Sequence, residues 1–135
     1  MYAAVSFDMK PKMIDYCLAE AREICADNRS LRTTHVAFLV RGNKVFYTGW
    51  NVLKTHPLIA KHPYHTGTPS MHAELSVVIR AGMQNLKDYE MIVVRYDRRG
   101  NLAISRPCAG CQSVLRQVNI SRVAFSDKNN QISYL

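Results

Sequence analysis

Two short motifs of the chain contain residues of the types that bind a metal ion and use it. His72-Ala73-Glu74 places a glutamate two positions after a histidine, and Cys108-Ala109-Gly110-Cys111 places two cysteines three positions apart. One imidazole and two thiolates form a three-ligand set for zinc, which leaves a fourth position open for water, as in catalytic zinc sites. Glu74 is then placed to take a proton from that water and pass it to a leaving group. The motifs predict a hydrolytic zinc centre.

Each motif has an alternative explanation when it is considered alone. His72 can also be interpreted as the cap of a helix, and Glu74 as a charge that complements the helix dipole. A Cys-x-x-Cys pair also occurs in metal knuckles and in redox pairs. A zinc-stabilised binding module without chemistry is therefore an alternative, because nothing structural requires Glu74.

The elements that must position these residues alternate between helical and strand patterns. Helical spacing of apolar residues, including Cys17 and Cys25, predicts a first helix and buries both cysteines. Two β-rich segments joined by Arg41-Gly42-Asn43 predict a hairpin. The predicted helices are Pro11 to Asp27, Glu74 to Leu86 and Cys108 to Asn119, and the predicted strands are 34–40, 44–50, 90–96, 102–105, 120–126 and 131–135.

The order of the elements in the second half of the chain indicates an α/β fold. Strands that alternate with helices pair in parallel and place helices on both faces of the sheet. Ligands bind at the carboxyl ends of such strands, and both metal motifs occur at the start of a helix. The turn at 127–130 is too short for a helix, so we expect the last strand to run antiparallel to the one before it.

The combined His-x-Glu and Pro-Cys-x-x-Cys pattern resembles the cytidine and deoxycytidylate deaminase superfamily. This resemblance implies a cytidine deaminase-like three-layer α/β/α sandwich, with a five-stranded mixed sheet and helices on both faces, formed by residues 1–135 as a single domain. It also implies Zn²⁺ as the cofactor and a homo-oligomer, either a dimer or a tetramer. The implied reaction is hydrolysis of the exocyclic amine of a nucleobase with release of ammonia.

The resemblance also implies roles for individual residues. Glu74 is expected to be the proton-transferring catalytic residue. Asn51, in the context Gly49-Trp50-Asn51, is expected to hydrogen-bond the sugar or the base edge. Ala73 and the backbone carbonyl of Arg106 are expected to contact the substrate. The loop at 53–70 carries three histidines and three prolines, and we expect it to cover the substrate, with Lys54 or His56 meeting a phosphate.

Composition limits the class of protein and of partner. The chain has 135 residues, 47% of them hydrophobic, and four cysteines, which do not suggest a disulfide framework. No membrane-spanning run or secretion signal is found, so we expect a cytoplasmic protein of nucleotide metabolism. The net charge of +8 favours an anionic substrate or partner, since basic surfaces concentrate phosphate-bearing molecules.

The substrate class is the least constrained prediction. Within the family that the chain resembles, a short final turn is typical of enzymes that take small substrates. Four arginines near the second motif also suit phosphate or nucleic acid; they are Arg95, Arg98, Arg99 and Arg106. Our first prediction is a deaminase of a cytosine nucleoside or nucleotide, namely cytidine, deoxycytidine, CMP or dCMP. The alternative is a polynucleotide deaminase that acts on cytosine or adenine in tRNA or in single-stranded DNA or RNA.

Overall fold

The computed structural model describes residues 9–27, 34–51, 72–82, 84–120 and 122–135. None of the helices in these ranges is both long enough and apolar enough to cross a membrane. The helices are α1 (Pro11–Asp27), α2 (Ala73–Arg80) and α3 (Ala109–Gln117), with a short 3₁₀ turn at Lys128–Asn130. The strands are β1 (Thr34–Arg41), β2 (Lys44–Trp50), β3 (Glu90–Tyr96), β4 (Leu102–Ala103), β5 (Val123–Asp127) and β6 (Gln131–Tyr134).

One mixed sheet holds all these strands, in the order β2-β1-β3-β5-β6 with β4 paired to the end of β3. β3 and β5 are parallel, whereas β1 pairs antiparallel with β2 and β3, and β6 pairs antiparallel with β5. The predicted mixed sheet of five main strands is therefore confirmed, and the short strand predicted at 102–105 is observed as the two-residue β4. The predicted antiparallel final strand is also confirmed.

The two faces of the sheet are covered by different helices. In β1, Val36 and Phe38 pack on the same side as Cys17 and Cys25 of α1. The alternate residues, including Leu39, pack on the other side with the apolar residues of α2 and α3. Since side chains alternate along a strand, the central strands are buried on both faces. The predicted three-layer α/β/α sandwich and the burial of both α1 cysteines are confirmed.

The predicted extent of α2 is wrong. The sequence pattern extended this helix to Leu86, but the helix ends at Arg80, and Gly82 follows with φ 86°. Glycine adopts this left-handed conformation at low cost and commonly ends helices in this way. Leu86 is buried beyond the helix, and its backbone N–H donates to the carbonyl of Val118. The other predicted boundaries differ by no more than a few residues, as is usual at element ends.

β2 and α2 approach each other closely at Gly49. A Cβ atom at this position would lie 2.7 Å from the backbone nitrogen of Val77 and 3.1 Å from the hydroxyl of Ser76. Backbone atoms cannot move away as a flexible side chain can, so only glycine fits here without displacing α2. The position of α2, which carries the first metal motif at its start, therefore depends on this contact.

We expect Gly49→Ala to lower the free energy of unfolding by about 2 kcal/mol or more, because the added methyl group overpacks the interface between β2 and α2. Urea unfolding followed by circular dichroism measures this change. Gly42→Ala is the control: Gly42 has φ 62° but no atom within 4 Å of an added Cβ, so it costs only the conformational strain of about 1 kcal/mol. Equal effects of the two substitutions on stability and zinc content would contradict the close approach of the two elements.

Candidate metal centre

The starts of two helices supply the three predicted metal ligands. His72 is the N-cap residue of α2, and its side chain makes no capping hydrogen bond. Cys108 is the N-cap residue of α3, and its sulfur accepts a hydrogen bond from the backbone N–H of Cys111. The capping role considered for His72 is therefore not observed. Both helices begin at the edge of the sheet where β3 ends, so the two motifs meet there.

The distances among the three side chains suit a tetrahedral zinc ion. All three ligand atoms lie within 4.8 Å of one another. Nδ1 of His72 is 3.2 Å from the sulfur of Cys111 and 3.6 Å from that of Cys108. Ordinary Zn–N and Zn–S bond lengths at a tetrahedral angle separate nitrogen from sulfur by about 3.5 Å. The donor set and its spacing therefore fit zinc with three protein ligands.

The charges of the three groups are strongly coupled. Hydrogen bonds from Cys111 and His72 lower the pKa of Cys108 to about 3. The hydrogen bond to Cys108, together with burial, raises the pKa of Cys111. The hydrogen bond to Cys108 also raises the pKa of His72. The cluster thus shares protons that a divalent cation would displace, since zinc binds thiolates and neutral imidazole.

Glu74 is buried beside this cluster. Its side chain is only 5% exposed, and burial raises its pKa to about 7. A buried carboxylate is costly unless a charge or a hydrogen bond compensates it. The Cys111 thiol and a backbone N–H supply hydrogen bonds that lower the pKa of Glu74, as does the charge of His72. An adjacent metal cation would act in the same direction. Glu74 therefore lies beside the three predicted ligands, and its proton-transferring role stays a prediction.

The sequence reasoning missed His35, at the start of β1. Burial lowers the pKa of His35 to about 4, helped by the nearby charges of Arg95 and His72, so its imidazole is neutral at pH 7. The backbone N–H of His35 donates to the side-chain oxygen of Asn51 at 2.7 Å. His35 and Asn51 thus lie together at the sheet edge beside the metal cluster. In the sequence, the only sign of this placement is the position of His35 at the start of the first predicted strand, because that strand begins at the edge of the sheet where the metal cluster lies.

Among the remaining predicted site residues, the structure describes Ala73 and Arg106. Ala73 is fully buried as the first residue of α2. Arg106 is exposed, and its guanidinium lies 5.5 Å from the centre of the Phe125 ring. Lys54 and His56 lie outside the described residues, as does the whole loop at 53–70. The substrate-binding roles of Asn51, Ala73, Arg106, Lys54 and His56 stay predictions.

A buried network of hydroxyl groups holds the segment that leads to Cys108. Ser105 Oγ donates to the carbonyl of Val93 at 2.7 Å and accepts from the backbone N–H of Ser126 at 2.9 Å. Ser126 Oγ donates to the carbonyl of Ala103 at 2.6 Å. These bonds attach the segment after β4 to both β3 and β5. Buried polar groups that are fully paired in this way rigidify their surroundings.

Sequence comparison identifies the family to which this fold and site belong. The family model described as "Cytidine and deoxycytidylate deaminase zinc-binding region" matches residues 11–127. The chain therefore belongs to the cytidine and deoxycytidylate deaminase family and is a zinc-dependent hydrolytic deaminase. A comparison with curated protein sequences gives no match.

Solved structures share the fold at low sequence identity. The dCMP deaminase of the cyanophage S-TIM5, in complex with dCMP and dUMP, has a TM-score of 0.59 at 18% identity, covering 88% of this chain and 84% of that chain. Its apo form has a TM-score of 0.59 at 16% identity, covering 90% and 88%. The cytidine deaminase from Burkholderia pseudomallei has a TM-score of 0.55 at 18% identity, covering 89% and 90%. The predicted cytidine deaminase-like fold is confirmed.

We expect Ser105→Ala to lower the free energy of unfolding by about 1–3 kcal/mol, because the backbone groups of Val93 and Ser126 lose a buried partner. Zinc affinity should fall with it, since the segment before Cys108 is then held less firmly. Chemical unfolding and a competition assay with a zinc chelator measure the two effects. Ser113→Ala, at a half-buried serine of α3, is the control and should change stability by no more than about 0.5 kcal/mol. Similar results for the two variants would contradict the positioning role.

Proposed function

We propose that the protein deaminates a cytosine nucleotide, CMP or dCMP, to the corresponding uracil nucleotide with release of ammonia. The observation that carries this proposal is the meeting of His72, Cys108 and Cys111 beside the buried carboxylate of Glu74. The net charge of +8 favours the phosphorylated substrate over the free nucleoside, because the surface attracts anions. Cytidine and deoxycytidine remain the alternative substrates of the same chemistry.

We assign the metal-binding role to His72, Cys108 and Cys111. Zinc with an open coordination position would act as a Lewis acid and lower the pKa of a water molecule toward neutrality. Both cysteines lie at the start of α3, where the helix dipole stabilises thiolates. The described residues offer three ligands and no fourth one, so one coordination position of the metal would be open to water or substrate.

Glu74 is the proposed proton carrier of the reaction. Its carboxylate would take one proton from the attacking water and give it to the ring nitrogen of cytosine, and would then take the second proton from the new hydroxyl group and give it to the departing amine. A group that serves several transfers works best when its pKa is near the working pH. The burial of Glu74, which raises its pKa, supports this role.

The substrate is proposed to bind between the metal centre and the edge of the sheet. Asn51 would bind the sugar or the base edge, while its side-chain oxygen also holds the start of β1. Ala73 lies next to both His72 and Glu74 along the chain, which suits a backbone contact to the base. The carbonyl of Arg106 would hold the leaving amine. Lys54 or His56 would contact the phosphate.

A homo-oligomer and a cytoplasmic location stay predictions.

Purified, zinc-loaded protein should release ammonia from dCMP or CMP, and the corresponding uracil nucleotide should appear in equal amount. Absorbance changes of the base and an ammonia assay measure the two products. Deoxycytidine, cytidine, AMP and single-stranded DNA are the comparison substrates. Turnover of deoxycytidine or cytidine with a kcat/KM at least equal to that of the nucleotides would contradict the nucleotide preference, and deamination of the polynucleotide alone would replace the proposal.

Metal analysis tests the ligand assignment. We expect one zinc per chain in the unsubstituted protein and a large loss of zinc in Cys108→Ala, because two remaining ligands bind zinc weakly. Cys17→Ala is the matched control, since Cys17 is buried in α1 on the other face of the sheet. Full zinc occupancy in Cys108→Ala would refute the assignment.

Glu74→Gln should keep zinc and the fold but lose activity, because the amide has nearly the shape of the carboxylate and cannot carry a proton. General acid–base groups contribute roughly two to four orders of magnitude to the rate. Zinc content, circular dichroism and kcat are the three measurements. Retention of kcat within a factor of a few would exclude Glu74 as the proton carrier.

A further inference from the structure

A basic pocket lies between α1 and the turn that follows β3. Its volume is about 390 Å³, and its lining includes Arg22 and Cys25 of α1 together with Tyr96, Arg98 and Arg99. We call these five residues and the space between them the basic pocket. Ligand-binding pockets begin at about 300 Å³, so the space accepts a small charged group. Three arginine residues from two separate elements therefore line one cavity.

Within the described part of the chain, the lining of the basic pocket holds three arginines and one carboxylate, that of Asp97, so a net positive charge remains. No carboxylate there forms an ion pair with Arg22, Arg98 or Arg99. Asp97 also borders the cavity, but one of its carboxylate oxygens accepts the backbone N–H groups of Arg99 and Asn101, both at 2.9 Å. The carboxylate therefore stabilises the turn. The guanidinium of Arg22 donates a hydrogen bond to the Tyr96 hydroxyl, and the exposed side chains of Arg98 and Arg99 remain to bind an anion.

The backbone that carries these arginines is well defined by its hydrogen bonds. The N–H of Asp97 donates to the carbonyl of Asn101, and the N–H of Gly100 donates to the carbonyl of Asp97. Gly100 has φ 84°, a conformation that glycine adopts at low cost. On the α1 side, the guanidinium of Arg22 lies 5.1 Å from the centre of the Tyr96 ring, within cation–π range. The side chain of Arg22 and the backbone that carries Arg98 and Arg99 are thus held in place before a ligand arrives.

The basic pocket and the metal centre lie at the same edge of the sheet but on opposite faces. Tyr96 packs with α1, whereas the preceding residue, Arg95, carries its charge next to His35 beside the metal cluster. The thiol of Cys25 donates to the carbonyl of Thr34, the residue before His35. The start of β1 and the end of β3 therefore separate the two sites. A ligand that crosses this edge of the sheet can reach both sites.

We propose that the basic pocket is a phosphate-binding subsite, distinct from the metal centre. Arginine binds phosphate with parallel N–H bonds from its planar guanidinium, and several arginines around one cavity select the doubly charged or bridging phosphate of nucleotides over chloride. The phosphate belongs either to a neighbouring nucleotide of a single strand or to the nucleotide that is deaminated, in which case the basic pocket replaces the phosphate contact proposed above for Lys54 or His56. The subsite stands independently of the proposed deamination, because its binding is measured without turnover.

The test measures binding of inorganic pyrophosphate and of a single-stranded oligothymidylate to the zinc-loaded protein. Thymine has no exocyclic amine, so the oligonucleotide is not a substrate. Arg98→Gln/Arg99→Gln is compared with Lys87→Gln/Arg116→Gln, which removes the same charge from exposed residues outside the basic pocket. We expect binding to the pocket variant to be weaker by roughly tenfold for each arginine that binds phosphate in the unsubstituted protein. For the single strand, each such arginine removed should also make the log–log salt dependence less steep by about 0.7.

Arg22→Gln, with Arg116→Gln as its control, tests whether α1 takes part in phosphate binding or whether the charged turn after β3 binds phosphate alone. Arg22 lies on α1, so a loss of phosphate affinity in this variant as well as in Arg98→Gln/Arg99→Gln indicates a ligand that touches both elements. Loss of oligothymidylate affinity assigns the phosphate to a strand. A rise in KM for dCMP, but not for deoxycytidine, assigns it to the substrate nucleotide. If both pocket variants bind pyrophosphate and oligothymidylate like their controls, and their KM values match as well, the proposal is wrong.

Discussion

The metal centre depends on the side-by-side start of two helices at one edge of the sheet. α2 begins after His72 and α3 begins after Cys108, and both N-cap residues contribute a ligand atom to a cluster less than 4.8 Å across. The parallel pair β3 and β5 places α3 on the same face as α2. Both helix dipoles therefore direct their positive ends toward the thiolates and the buried carboxylate.

This arrangement places the Glu74 carboxylate beside the two cysteines and His72. Without a cation, the negative charges of these groups repel one another and are poorly solvated. Glu74 is almost fully buried, and the two thiols and His72 share protons through short contacts. A divalent ion at their centre compensates the buried negative charge, so zinc binding should contribute directly to the stability of the fold. The tight contact at Gly49 fixes the position of α2, and the hydroxyl network of Ser105 fixes the segment that leads to α3. Both contacts therefore help to keep the two helix starts close together.

That His72, Cys108 and Cys111 come together could be predicted from the sequence, because a histidine and a Cys-x-x-Cys pair have the types and spacing of zinc ligands. The alternation of strands and helices likewise predicted the three layers. The end of α2 was missed because Leu86 continues the apolar spacing, although Gly82 signalled the termination. His35 could not be recognised, because its role depends on the strand pairing that brings it beside Asn51 and Arg95. Arg22 joins Arg98 and Arg99 only through the packing of α1 on the sheet.

The central claim is an open zinc site with one histidine and two cysteine ligands, and X-ray absorption at the zinc edge tests it most directly. We expect two sulfur ligands at about 2.3 Å and two lighter ligands at about 2.0–2.1 Å, one of them an imidazole and the other an exchangeable water. Adding a nucleotide or an analogue should change only the exchangeable ligand. Four protein ligands that do not respond to such additions, or the absence of zinc–sulfur scattering, would contradict the claim.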